Sequence, residues 1–373
     1  MSRKHTASSG WIRNFLCATA LVATSSLALG ACEKKEAEKS AAGSEAEPPM
    51  APAKTTAAEP PAASKKVVGE ELIQKILKCN ESIESWDKEA FKECFAEDAD
   101  VRFLDSIPPS QAKGRTPVVV QYGMFRNAFS DFKLELPLIL VNGTKSAVVS
   151  HIAGTHANAS LGIPPTGKKM SILQAETADH DEKGQTTWIR SYDDQSTLFH
   201  QLGLMASEAA AGAEKKPWAE AIRLVAKGDD GERANLEAVK KGIEAQGKGD
   251  VAGALAMYAP DATFRYQPEA KPFVGRAEIE ANLRSYSEVS TSSVDIRDSW
   301  AAGDWVVAEL TTKVKLTKDL PGVKGSKGKG WELSSLDLFR VAGGKVAEHW
   351  RFVNGLKFAA DMGFVDPATL GGE

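Results

Sequence analysis

Residues Phe95–Phe103 read FAEDADVRF, and residues Tyr258–Tyr266 read YAPDATFRY. Six of the nine positions are identical or exchange one aromatic for another: Phe95/Tyr258, Ala96/Ala259, Asp98/Asp261, Ala99/Ala262, Arg102/Arg265 and Phe103/Tyr266. The offset is 163 residues, the length of one ordinary domain, so most of the chain reads as one domain built twice. Landmarks on either side agree. Gly114-Arg115 returns as Gly275-Arg276, and Leu202-Gly203 returns as Met362-Gly363.

Outward from the first stretch, the copy spans about 69–207. Leu72, Ile76, Cys79 and Ile83 fall on one face of a helix from Glu70 to Ile83. Asp87 caps a short second helix, and FAEDADVRF leads from it into a strand. A third helix starts at Gly114-Arg115-Thr116-Pro117, with Thr116 as cap. The period then changes to two. Lys133–Val141, a turn at Asn142-Gly143 and Ser146–Asn158 form a hairpin, followed by strands at Lys169–His180 and Thr186–Ser196. Helices followed by a meandering sheet define an α+β domain. The second copy, about 232–370, repeats the order. Residues 208–231 between the copies read as a helical linker, with a helical patch around Trp218–Val225 and Trp218 packed down.

The chain starts with Arg3, Lys4 and Arg13, then an apolar run from about Phe15 to Leu29. This pattern marks residues 1–31 as an export signal. Leu29-Gly30-Ala31-Cys32 resembles the lipobox of bacterial lipoproteins, which implies cleavage before Cys32 and acylation of its thiol. The other reading is ordinary secretory cleavage after Ala31. An acylated Cys32 would anchor the protein to the lipid bilayer of the cell envelope, the outer membrane rather than the inner. Cys32→Ser should then release the protein into the soluble fraction, and continued membrane binding would refute the anchor. Residues 32–68 are Ala, Glu, Lys and Pro with few large apolar side chains, as expected of a disordered tether.

The first copy also resembles a known family. It carries [FY]AxDAxxR[FY], Gly154-Thr155-His156, Pro164-Pro165-Thr166-Gly167-Lys168, and Asp194 seven residues before Gln201-Leu202-Gly203. These residues resemble the SnoaL-like polyketide cyclases of the nuclear transport factor 2-like superfamily. The resemblance implies two tandem cones, each a helix set packed on a curved mixed sheet around an apolar cavity. It further implies ring closure without a cofactor, with an aspartate as general acid/base on a small apolar carbonyl compound. Asp194 is the residue it points to, and His156 is the accompanying candidate. A carboxylate in an apolar cone would be pushed towards neutrality by desolvation. The competing reading makes Asp194 a cap for the helical turn Thr197–Leu204, and His156 a packed histidine. In the second copy Asn354 stands where Asp194 stands, the PPTGK loop is gone, and no histidine matches His156. That copy is therefore read as degenerate. His349, beside Trp350, is read as a packing residue.

Other features limit the function. A net charge of −4 on 373 residues argues against nucleic acid as a partner. No HExxH, paired CxxC or glycine-rich phosphate loop occurs, so no metal or nucleotide cofactor is expected. Lys313, Lys315, Lys318, Lys324, Lys327 and Lys329 form either a solvated ribbon or an anion-binding one. Cys79 and Cys94 lie on inner helix faces in an oxidising compartment, as a disulfide or as two buried thiols. Two copies in one chain could form an internal pseudo-dimer and leave the chain monomeric. Two functions stay open: a cofactor-free cyclase, isomerase or lyase, or a non-catalytic lipoprotein that binds a small apolar ligand or a protein.

Overall fold

The opening stretch is itself a strand in the computed structural model, which describes residues 66–160, 163–205, 217–269 and 271–366. The export signal, Cys32 and all but the last three residues of the tether lie outside the described residues. Strand β1 (Phe95–Phe103) follows helices α1 (Glu70–Ser85) and α2 (Lys88–Lys92), the latter capped by Asp87 through the Ala90 N–H. β1 pairs antiparallel with β2 (Ser110–Lys113) and parallel with β6 (Thr186–Asp193). Its inward residues Ala99 and Val101 are fully buried. The register slips between Phe95 and Asp100, and the parallel pair of the second copy slips likewise.

Gly114 N–H closes this irregular corner by donating to Ala99 O at 2.7 Å, and Arg115 Nε donates to Phe95 O at 2.7 Å. Gly114 has φ 90 and Gly275 has φ 77, the left-handed region where a side chain is disfavoured. That requirement explains the repeated glycine. Gly114 is also the N-cap of α3 (Arg115–Ala128), so Thr116, expected as the cap, sits inside the first turn. The repeated arginines make different contacts in the two copies. Arg102 pairs with Asp100 at 2.9 Å and lies over the Trp188 ring, while Arg265 lies over the Trp350 ring at 5.0 Å.

β3 (Lys133–Asn142), β4 (Lys145–Thr155), β5 (Lys169–His180) and β6 complete the meander, and α4 (Gln195–Leu202) closes the copy. The expected helical patch in the linker is a correction: Ile222–Val225 is strand β7, parallel to β3. The exposed edge of β3 offers unpaired backbone groups, and Ile222, Leu224 and Val225 suit a strand better than a solvated helix. Sheet order is β2-β1-β6-β5-β4-β3-β7.

The second copy runs α5 (Asp230–Gly247), α6 (Val251–Leu255), β8 (Tyr258–Tyr266), β9 (Phe273–Val274), α7 (Gly275–Ser287), β10 (Ser290–Ala302), β11 (Trp305–Leu316), β12 (Gly330–Ala342), β13 (Lys345–Phe352) and α8 (Gly355–Asp361). Its sheet order is β10-β11-β12-β13-β8-β9, with β8 parallel to β13. Each copy is thus a mixed sheet with its own helices, the expected α+β pair of domains.

Period two gives every central strand two buried faces. One face of each sheet packs on the copy's own helices, and the other packs on the sheet of the other copy. Leu138, Leu140, Val149 and Tyr192 meet Trp305, Val307, Leu338 and Phe352 in one shared core. Trp218 of the linker joins its edge, 5.4 Å from Trp305 and 5.0 Å from Trp350 between ring centroids. Glu309, 1% exposed, crosses this core to meet Arg190 and the Tyr192 hydroxyl, the latter at 2.9 Å. A buried acid there is tolerable only because both groups satisfy it.

Cys79 and Cys94 form a disulfide, with Cα atoms 5.9 Å apart. It ties α1 to the residue before β1 across 15 positions of sequence. Closing a loop of that length stabilises the fold by about 3 kcal/mol in the chain-entropy view.

Candidate functional site

A cavity of about 450 Å³ lies in the second copy. Strand alternation builds it. Trp331, Leu333 and Ser335 of β12 face inward, while Leu336 and Leu338, of opposite parity on the strand, face the other sheet. Arg351 of β13 and Tyr266 of β8 stand beside Ser335, and Phe358 of α8 lines the same space. The lining contains Lys248 and Arg351 but no Asp or Glu.

Behind the lining is a buried polar chain. The Tyr258 hydroxyl is 2.7 Å from His349 Nδ1, and His349 Nε2 is 2.9 Å from Asp337 Oδ2. Arg351 donates to the same carboxylate through Nε at 2.9 Å and Nη2 at 2.7 Å, and Ser335 Oγ donates to its other oxygen at 2.8 Å. Asp337 is 0% exposed and His349 1%. Phe264 and Phe339 stack on the two faces of the imidazole, at 4.3 and 4.1 Å. Burial alone would push the Asp337 carboxyl up, but the Arg351 charge and the His349 contact outweigh it and hold it well below the usual range. Burial pushes His349 down to about 4, against the pull of Asp337, so the ring is neutral near pH 7. With Nε2–H directed at Asp337, Nδ1 accepts from the tyrosine. The chain therefore carries one cation and one anion, both committed. It holds the Arg351 guanidinium rigid at the cavity lining.

The first copy has a smaller cavity, about 120 Å³. Register identifies its counterpart of Asp337. Phe103 pairs with Ser191 and Ser191 with Glu176, as Tyr266 pairs with Arg351 and Arg351 with Asp337. Glu176 thus occupies the Asp337 position, but a serine replaces the arginine. Without a cation, burial pushes Glu176 up to about 7, against hydrogen bonds from Tyr122 and Ser191. The Tyr122 hydroxyl is 3.2 Å from its Oε1.

The expected site residues lie elsewhere. Asp194 lines neither cavity. It is the N-cap of α4 and is 2% exposed. Its carboxylate accepts from Ser196 N, Thr197 N, Ser196 Oγ, Thr197 Oγ1 and, across the copies, Gly355 N at 2.9 Å. By alternation it is Asp193 that shares the face of Ser191. Asn354 reciprocates: its Oδ1 accepts from Leu356 N of its own helix at 3.0 Å and from Gln195 N of the first copy at 3.3 Å. The Asp/Asn difference belongs to an interlocked pair of helix caps. His156 also lines neither cavity. It is 2% exposed, its Nδ1 accepts from Thr166 N at 3.2 Å, and its backbone carbonyl accepts from Gly167 N. Burial lowers its pKa. It anchors the Pro164–Lys168 loop, and no hydrogen bond joins it to Asp194. Of the lysine ribbon, Lys313 pairs with Glu332 and Lys329 donates to Met362 O.

Sequence reasoning missed the Tyr258–His349–Asp337–Arg351 chain. Its signal was present: Ser335-x-Asp337 and His349-x-Arg351 place polar residues at period two on the inner face of otherwise apolar strands. Among the described residues no group of His, Cys, Asp and Glu is arranged to hold a metal.

Two sheets set back to back, each with helices over its far face and a cavity beneath them, define a tandem nuclear transport factor 2-like protein. The chain carries two SnoaL-like domains: residues 74–202 match the model of the SnoaL-like polyketide cyclase family, and residues 239–349 match that of the SnoaL-like domain. No curated protein matches the sequence. Solved structures similar to it include an LEH-like epoxide hydrolase from M. tuberculosis, at 15% identity and TM-score 0.30, covering 35% of this chain and 91% of its own. TsrD from Streptomyces laurentii has 20% identity and TM-score 0.32, covering 36% and 97%. A nuclear transport factor 2-like protein from Burkholderia pseudomallei has 18% identity and TM-score 0.30, covering 35% and 97%.

Proposed function

We propose that this is an exported, lipid-anchored binding protein whose second copy holds a small amphipathic molecule. One observation carries the reading: the cavity of about 450 Å³ has an aromatic and aliphatic wall, a polar floor at Arg351 and Ser335, and no carboxylate in its lining. Small-molecule sites have this size and make-up, with a few fixed polar groups in an apolar surround. The site has nothing poised to take a proton from carbon. Asp337 is committed to Arg351, His349 and Ser335. The export signal and the Cys32 lipobox support the envelope location, with the bilayer as the anchor's partner.

The uncharged fluorophore N-phenyl-1-naphthylamine tests the reading. It should bind the mature chain at one site with enhanced emission. Val314→Trp places an indole in the lining and should weaken binding by about tenfold or more, since the lost space removes apolar contact. Unchanged binding in Val314→Trp would show that the cavity is not the site.

Cyclase or isomerase chemistry remains the second reading, and Glu176 favours it. This carboxyl is raised to about 7 by burial and lies 3.2 Å from a tyrosine hydroxyl. A general base near neutrality is what proton abstraction needs. Against it stands the cavity beside Glu176, about 120 Å³, below the roughly 300–1,000 Å³ of small-molecule sites.

A further inference from the structure

We propose that the second-copy cavity selects an uncharged amphiphile, whose oxygen acceptor docks on Arg351, over the corresponding carboxylate. The inference rests on the reading of that cavity as a ligand site, and goes on to name the head group.

The charge of Arg351 is already matched by Asp337. Arg351 turns Nε and Nη2 to Asp337, and its side chain keeps 14% exposure. Asp337 cannot swing away to release it, because Ser335 Oγ and His349 Nε2 hold both of its oxygens, and Tyr258 holds the histidine. The cavity floor therefore offers hydrogen-bond donors without net charge. A ketone, ester, amide or alcohol oxygen can accept there and lose little hydration. A carboxylate would sit across one guanidinium from Asp337, desolvated and without a cation of its own, which is costly. The other cation in the lining is Lys248, which is exposed at the solvent end. A carboxylic acid is left to bind with its head outward at that lysine. The apolar body in either case lies against Phe264, Tyr266, Trp331, Leu333 and Phe358.

The experiment displaces N-phenyl-1-naphthylamine from the mature chain at pH 7.5 with 2-decanone or with decanoate. The ketone should displace at a concentration about tenfold lower or better, the worth of one hydrogen bond to a charged donor. Greater apolarity alone could favour the ketone, so a second arm is needed. The double variant Arg351→Gln/Asp337→Asn keeps the pair hydrogen-bonded and uncharged. Measured against its own affinity for the fluorophore, it should lose about tenfold in ketone affinity. Lys248→Gln should weaken decanoate alone. Equal or tighter binding of decanoate, or ketone affinity unmoved by the double variant, would overturn the head-group assignment and leave the cavity intact as a site. Failure of the fluorophore to bind the wild-type chain would instead remove the site, and this inference with it.

Discussion

Asp337→Ala should cost about 3–5 kcal/mol of stability, the largest loss expected from a single substitution in the second copy. The change removes no large side chain. Its cost comes from what stays behind: the buried Arg351 guanidinium without a counter-charge, and His349 and Ser335 without an acceptor. Urea unfolding at pH 7 measures it, and a loss under about 1 kcal/mol would mean that water reaches the chain and screens it. The penalty should also depend on pH with a definite sign. The folded-state pKa of Asp337 lies below the unfolded value, so its contribution is complete above about pH 4. It is lost as pH falls through the folded value. The difference between wild type and Asp337→Ala should therefore be full at pH 7 and smaller at pH 3. The double variant Arg351→Gln/Asp337→Asn, which strands no charge, should lose much less than Asp337→Ala at neutral pH.

Asp194→Ala should cost about 3–5 kcal/mol, while Asp194→Asn should cost about 1–2 kcal/mol and leave fluorophore binding unchanged. Alanine removes the cap of α4 and leaves the donors of Ser196, Thr197 and Gly355 without their acceptor. Asparagine keeps one acceptor oxygen, and Asn354 performs the matching task in the other copy with one such oxygen. Its cost lies in the second oxygen, which now takes the Thr197 N–H. A general acid/base would respond differently: Asn would abolish turnover at little cost in stability. Loss of a measured turnover in Asp194→Asn, with the fold intact, would overturn the capping role. Loss in Glu176→Gln alone would move function to the first copy.

The repeat, the α+β class and most strand limits were legible because they rest on local periodicity. Lys169–His180 is read from the sequence at both ends as it stands in the fold. Reading failed where a residue's role depends on a partner far along the chain. The spacing of Asp194 from Gln201-Leu202-Gly203 is real, but it is the length of a capped helix with a glycine at its end. The counterparts Glu176 and Asp337 are hidden because the offset between copies drifts from 163 at Arg102/Arg265 to 160 at Asp194/Asn354. Only strand register pairs them. The linker strand failed for a similar reason, since Ile222–Val225 is a strand only because β3 leaves an edge open. The second copy looked degenerate when judged by Asn354, the lost PPTGK loop and the missing counterpart of His156. Its own charges lie on the inner faces of β12 and β13, where the first copy has different residues.

The interlocked caps have a consequence for the joining of the two copies. In a dimer of identical subunits, one codon fills both sides of the symmetry axis, so an acid reaching across must face another acid. A covalent tandem escapes that rule. Here one side carries the carboxylate and the other an amide, each gripping the helix start opposite. The same freedom lets one half place an arginine beside its buried acid where the other has a serine. Joining the copies in one chain thus leaves two halves that can differ residue by residue.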